Sequence, residues 1–332
     1  MNLRCAILIA LGALAPMAQS APAQFLSIET KIALGDIKGR IDHLAIDLNR
    51  QRLYVAELGN DTVGVIDLQQ RKVINRLAGL KEPQGIAYEP STDTVYVANG
   101  GDGSARLYKG ADLRPVTRLA LGDDADNIRV DRDTHYVWVG YGRGALAAID
   151  PVSTRTVAEI PLRGHPESFQ LDPDGSHIFV NVPNTGEIAV VDRKARRQVA
   201  SWKTSPLTAN YPLILDGPET VLAVFRHPAR IGIFQKQNGR LLQALDTCDD
   251  SDDVFADARR GRLYVTCGEG FVEIFAHDGA SYRSIGKVAT SSGARTSLFV
   301  PELDRLYLAV RAQHNEPATI WVLRPEAKNS AE

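Results

Sequence analysis

The chain has 332 residues, with 38 Lys and Arg against 40 Asp and Glu, a formal charge of −2, and three cysteines. A slightly acidic balance argues against a nucleic-acid surface, which needs clustered cations. Three cysteines are too few for a disulfide scaffold, and no CxxC redox motif is present.

The first residues, MNLR-CAILIALGALAP-MAQSAPA, place one arginine before a short apolar run and small residues at Ala21 and Ala23. The run is too short to span a bilayer and predicts a secretory signal over 1–23, hence a periplasmic or secreted protein. No later segment is apolar enough to cross a membrane. The mature chain, 24–332, carries no linker or low-complexity tract and predicts one domain and a monomer.

Repetition dominates the rest. Units such as QRLYVAELGNDTVGVIDL, DTVYVANGGDGSARLY, SHIFVNVPNTGEIAVVD and GRLYVTCGEGFVEIF align on Tyr54, Tyr96, Trp138, Phe179, Leu222, Tyr264 and Tyr307, spaced by 42, 42, 41, 43, 42 and 43 residues. Within a unit, short β-branched and aromatic runs alternate with Gly, Asp, Asn and Pro breaks. The second unit reads GIAYEP, TVYVA, ARLY and VTRLAL, four strands that we label A to D. Four strands per unit and seven units predict an all-β, seven-bladed propeller. The last unit lacks a D strand, and FLSIETKIAL at 25–34 precedes the first A strand, so the N-terminal segment is expected to complete the last blade.

The LYVANGGDGSARLY and LYVAELGNDTVGVIDL units resemble the YVTN-repeat family of seven-bladed propellers, the YncE-like bacterial proteins, over essentially the whole mature chain. GRIDHLAID and GHPESFQLD are similar to blades of exported members. The resemblance implies the fold, an exported location and, because one member is linked to DNA, nucleic-acid binding as one function to weigh.

In a propeller, the residues just before strand A and just after strand B open on one funnel. The positions before strand A are Asp42-His43, Gln84-Gly85, Asp126-Asn127, Glu167-Ser168, Tyr211-Pro212, Asp252-Asp253 and Thr296-Ser297, with Arg295 adjacent. The ends of strand B add Glu57, Asn99, Tyr141, Asn181, Arg226-His227, Cys267 and Arg311. His165 stands beside this rim in a Pro-containing turn. The candidate ligand-binding set is therefore Asp42, His43, Glu57, Asn99, Asp126, Asn127, Tyr141, His165, Glu167, Arg226, Asp252, Asp253 and Arg295. Glu57, Glu167 and Asp252 are candidate ligands for a hard divalent cation such as Ca²⁺, since the set is rich in oxygen and poor in histidine.

Three functions follow. The first is an exported module binding a small molecule or a protein partner at the funnel. The second is a metal-dependent lactonase or hydrolase using funnel carboxylates, by analogy with six-bladed lactonases. The third is a nucleic-acid binder through Arg226, Arg230, Arg295 and Arg311, against which the acidic rim weighs. GxSxG, a phosphate loop and HExxH are absent. Removal of the leader leaves Cys248 and Cys267, for which an oxidising compartment makes one disulfide the expectation and two separate thiols the alternative. Asp257 falls with Asp47, Glu89, Asp131 and Asp172 at the ends of A strands, a turn position on the face opposite the funnel.

Overall fold

A computed structural model describes residues 24–279, 281–313 and 316–327; the expected leader at 1–23 lies outside the described residues. The strands form seven antiparallel sheets of four, one per sequence unit, and neighbouring A strands touch around a ring that closes between blades 7 and 1. The A strands are Leu44–Asp47, Pro83–Glu89, Ala125–Val130, Phe169–Leu171, Thr208–Asp216, Ser251–Asp257 and Ser297–Val300. The N-terminal strand, Leu26–Gly35, pairs antiparallel with Ala318–Pro325 and is the outer strand of blade 7, as the missing D strand required. Among the described residues no helix is long and apolar enough to cross a membrane.

The 42-residue period has a packing cause. Strands present side chains to both faces of a sheet, and in a propeller each face packs against a neighbouring blade. Each periodic residue fills one such seam. Tyr54 packs with Ile86, Val95 and Val97 of blade 2; Trp138 with Phe169, Ile178 and Val180 of blade 4; Phe179 with Leu213, Phe225 and Phe234 of blade 5; and Tyr307 with Leu44, Leu53 and Val55 of blade 1. All seven are at most 4% exposed.

The acids at the ends of the A strands are polar staples on the face opposite the funnel. Asp47 accepts from the Arg50 backbone N–H at 3.1 Å and its guanidinium at 2.8 Å, and Arg50 reaches across to Asp93 of blade 2 with two bonds of 2.7 Å. Glu89 meets His135 of blade 3 at 3.1 Å, and Asp131 accepts from Arg193 of blade 4 at 2.6 Å. Asp172 accepts from Lys236 of blade 5, and Arg260 joins Asp257 to Asp304 of blade 7 at 2.8 and 2.7 Å. Turn chemistry and inter-blade pairing thus use the same carboxylates.

Candidate functional site

The funnel owes its lining to irregularities at the entry of the A strands. Where strand A meets strand B, two residues of A oppose one of B. Asp42 N–H donates to the Ala56 carbonyl while Ala56 N–H donates to that of His43, and Glu167 and Ser168 share Asn181 in the same way. Register shifts mark the same point at Pro83/Ile86, Ala125/Ile128, Asn210/Leu213 and Ser251/Asp253. A bulge of this kind breaks the alternation of the pleat and re-aims consecutive side chains. One glycine is obligatory here: a Cβ on Gly85 would stand 2.0 Å from the Asp126 carbonyl of the next blade.

The bulges bring together a cavity of about 300 Å³ lined by Asp42 and His43 from blade 1, Asp126 and Asn127 from blade 3, Glu167 from blade 4, Arg226 from blade 5, Asp252 from blade 6 and Arg295 from blade 7, with His165 at its side. Asp253 lies just beneath, its carboxylate accepting from the Ser297 N–H at 2.8 Å and standing 3.9 Å from His43 Nδ1. His43 Nε2 is 3.8 Å from Asp42, which also accepts from Arg40 at 3.0 Å.

Charge is segregated within this ring. On blades 5 to 7, Asp252 is clamped between Arg226 and Arg295; Arg295 also donates to Asp250 at 2.7 Å, and Arg226 lies 4.0 Å over the Tyr211 ring. On blades 3 and 4, the Asp126 and Glu167 carboxylates accept no hydrogen bond from any described residue. Burial, with Asp42 and Asp124 nearby, pushes Asp126 up to about 6 despite the opposing pull of His43 and His165. Burial, with Asp126 and Asp252 adding to it, pushes Glu167 up to about 7. Burial raises Asp253 to about 7 against the attraction of His43. For His43 burial works downward, but Asp42, Asp253 and Asp126 outweigh it and raise its proton affinity.

These directions fix a pH dependence. A carboxyl whose folded pKa is raised carries no penalty below its unfolded value near 4.5, and destabilises the fold increasingly as pH rises towards about 7. Glu167→Gln is therefore expected to raise stability at pH 8, by on the order of 1 kcal/mol once the shift is discounted for solvent access. The gain should vanish by pH 4.5. Melting temperatures of both proteins across that range check it, and a pH-independent difference would refute the assignment.

Three sequence-predicted residues lie elsewhere. Glu57 is fully buried inside blade 1, accepting from Thr62 at 2.6 Å and Arg76 at 2.7 Å, because the last residue of strand B turns its side chain towards the outer strands. Asn99, its counterpart in blade 2, closes the turn by bonding Val97 and Ser104 carbonyls. Tyr141 is buried in the seam between blades 2 and 3, beside Glu159. The candidate cation set is corrected accordingly: Glu57, Glu167 and Asp252 do not meet. Among the described residues no three His, Cys, Asp or Glu side chains converge as metal ligands would. Arg230 pairs with Asp246, and Arg311 bonds the Gly293 carbonyl at 2.8 Å, so the proposed basic arc is dispersed.

Sequence reasoning missed Arg129. It stands in the channel between the funnel and the far mouth, where burial lowers its proton affinity while Asp253 and Asp126 oppose that. The signal was present: among the A-strand runs LAID, IAYE, IRVD, FQLD, LILD and VFAD, only blade 3 has a cation. Arg40, Asp124 and Asp250 were also missed, because they lie in loops that no period aligns.

Cys248 and Cys267 form a disulfide, with Cα atoms 5.8 Å apart. Cys267 pairs with Ser251, so the bridge ties the loop of Asp250, at the entry to the strand carrying Asp252 and Asp253, to strand B of the same blade.

No family model matches the chain, and neither does any curated protein. Among solved structures, hydrazine synthase from Kuenenia stuttgartiensis is similar with a TM-score of 0.74 and 14% identity, over 96% of this chain and 100% of that one. A chain of the mitotic checkpoint complex is similar with a TM-score of 0.76 and 15% identity, over 98% and 100%. What is shared is the fold. At these identities the likeness supports the seven-bladed propeller and carries nothing about chemistry.

Proposed function

We propose that the protein is an exported binding module that captures a small polar molecule in the funnel. The observation that carries this reading is the convergence of Asp42, His43, Asp126, Glu167 and Asp252, from four blades, on one cavity of about 300 Å³. No described residue donates a hydrogen bond to the Asp126 or Glu167 carboxylates, and desolvated carboxylates without partners destabilise a protein unless a ligand uses them. The signal-like 1–23 segment, the single disulfide and the likeness of the repeats to exported YVTN-repeat proteins support the exported location.

The hydrolase reading has no converged ligand set to draw on, and the nucleic-acid reading loses its arginines to Asp246, Asp250 and Asp252. Asp252 is a poor test residue, because it pairs with both Arg226 and Arg295 and its removal rearranges that cluster. The better test is the Asp126→Ala/Glu167→Ala protein. In a thermal-shift screen of charged and neutral metabolites, some compounds should raise the melting temperature of the wild type and leave that of the double variant unmoved. Hits equally active on both would move the binding surface off the funnel.

A further inference from the structure

The funnel is built almost entirely of acceptors on one side. Asn127 lines the cavity and is 2% exposed. Its neighbour Asp126, 7% exposed, and Glu167 of the next blade accept no hydrogen bond from any described residue. A ligand that donates to these two carboxylates supplies the partners that the fold leaves out. The opposite wall offers no complementary vacancy for an anion. Arg226 and Arg295 are already held by Asp252 and Asp250, and Arg40 by Asp42. Among the lining side chains, five carboxylates (Asp42, Asp124, Asp126, Glu167, Asp252) face three arginines and two histidines, and the arginines already have carboxylate partners on blades 1 and 6. A bare metal ion would need at least three such groups within reach of one point, and among the described residues none are so placed.

We propose that the ligand is a small organic molecule bearing a primary ammonium group, its N–H donors directed at Asp126 and Glu167. This rests on the funnel-binding reading and gives it a ligand class. An ammonium supplies three donors and one charge, which suits two neighbouring carboxylates that no described side chain bonds. A cavity of about 300 Å³ sits at the small end of ligand pockets and suits a metabolite rather than a peptide.

The test is calorimetric titration at pH 8 with ethylamine, ethanolamine, putrescine and cadaverine. 1,4-Butanediol and succinate serve as neutral and anionic isosteres of putrescine, and CaCl₂ as the metal alone. At least one amine should bind, at least tenfold more weakly to Glu167→Gln and to Asp126→Asn. Both variants should keep the wild-type circular dichroism, and the diol and the diacid should give no heat. Binding of succinate or butanediol, lost in the Asp126→Ala/Glu167→Ala protein, would overturn the ammonium assignment and leave the funnel-binding reading standing. Calcium binding lost in the same variant would overturn it in favour of a metal site. Silence from all four amines overturns the ammonium class, and the broader metabolite screen then decides the binding reading separately.

Discussion

Phe179→Ala is expected to lower unfolding stability by about 3–5 kcal/mol, the largest effect of any single truncation considered. Phe179 is 2% exposed and sits in the seam between blades 4 and 5, with its ring 5.3 Å from that of Trp202 and against Leu213, Phe225 and Phe234. Two rigid sheets meet there, so neither wall can collapse into the space vacated, and the cavity penalty adds to the lost transfer energy. Urea unfolding followed by tryptophan fluorescence measures the change. Val152→Ala, at a side chain 83% exposed, is the matched control and should stay within about 0.5 kcal/mol. A loss below 1 kcal/mol at Phe179 would mean that adjacent blades close over the gap, and that the periodic aromatic is not what separates them.

The second large effect concerns the disulfide. Cys248→Ala with Cys267→Ala, or full reduction, is expected to lower stability by about 3 kcal/mol, since the bridge closes a segment with a sequence separation of 19. For a chain of this size that corresponds to about 5 °C in melting temperature. The loss should be accompanied by weaker funnel binding, because the bridge anchors the loop of Asp250 at the entry to the strand of Asp252. Gly268 donates to the Asp250 carbonyl at 2.8 Å, and a Cβ there would strike the Asp250 carboxylate. Two free thiols in denatured, unreduced protein would overturn the bridge itself.

The architecture was legible because it rests on a signal the chain repeats. Tyr54 through Tyr307 recur because seven equivalent seams need a filler, and the absent D strand of blade 7 points straight to residues 25–34. Asp257 and its equivalents were readable as turn acids, but their links to the next blade, such as that of Asp257 through Arg260 to Asp304, do not show in the spacing. The site was only half readable. Positions before strand A on blades 1 to 6 line one mouth, because the bulges there repeat. Positions after strand B were less readable: the last residue of that strand turns its side chain towards the outer strands, and that Glu57 there meets Arg76 is a pairing that no period encodes. Which acids remain unpaired depended on Arg226 and Arg295 meeting Asp252 across three blades, and such a contact leaves no trace in spacing.

The pairing of Leu26–Gly35 with Ala318–Pro325 has a consequence for the order in which the molecule comes into being. Among the described residues, Leu26–Gly35 has its sheet partner only in Ala318–Pro325, and at about 5–20 residues per second that partner is synthesised some 15–60 s after it. Until then an edge bearing Ile28, Ile32 and Leu34 stands open beside an unfinished ring, the situation in which strands find wrong partners. The same seam that makes the finished ring continuous leaves the nascent one incomplete until Ala318–Pro325 has been made.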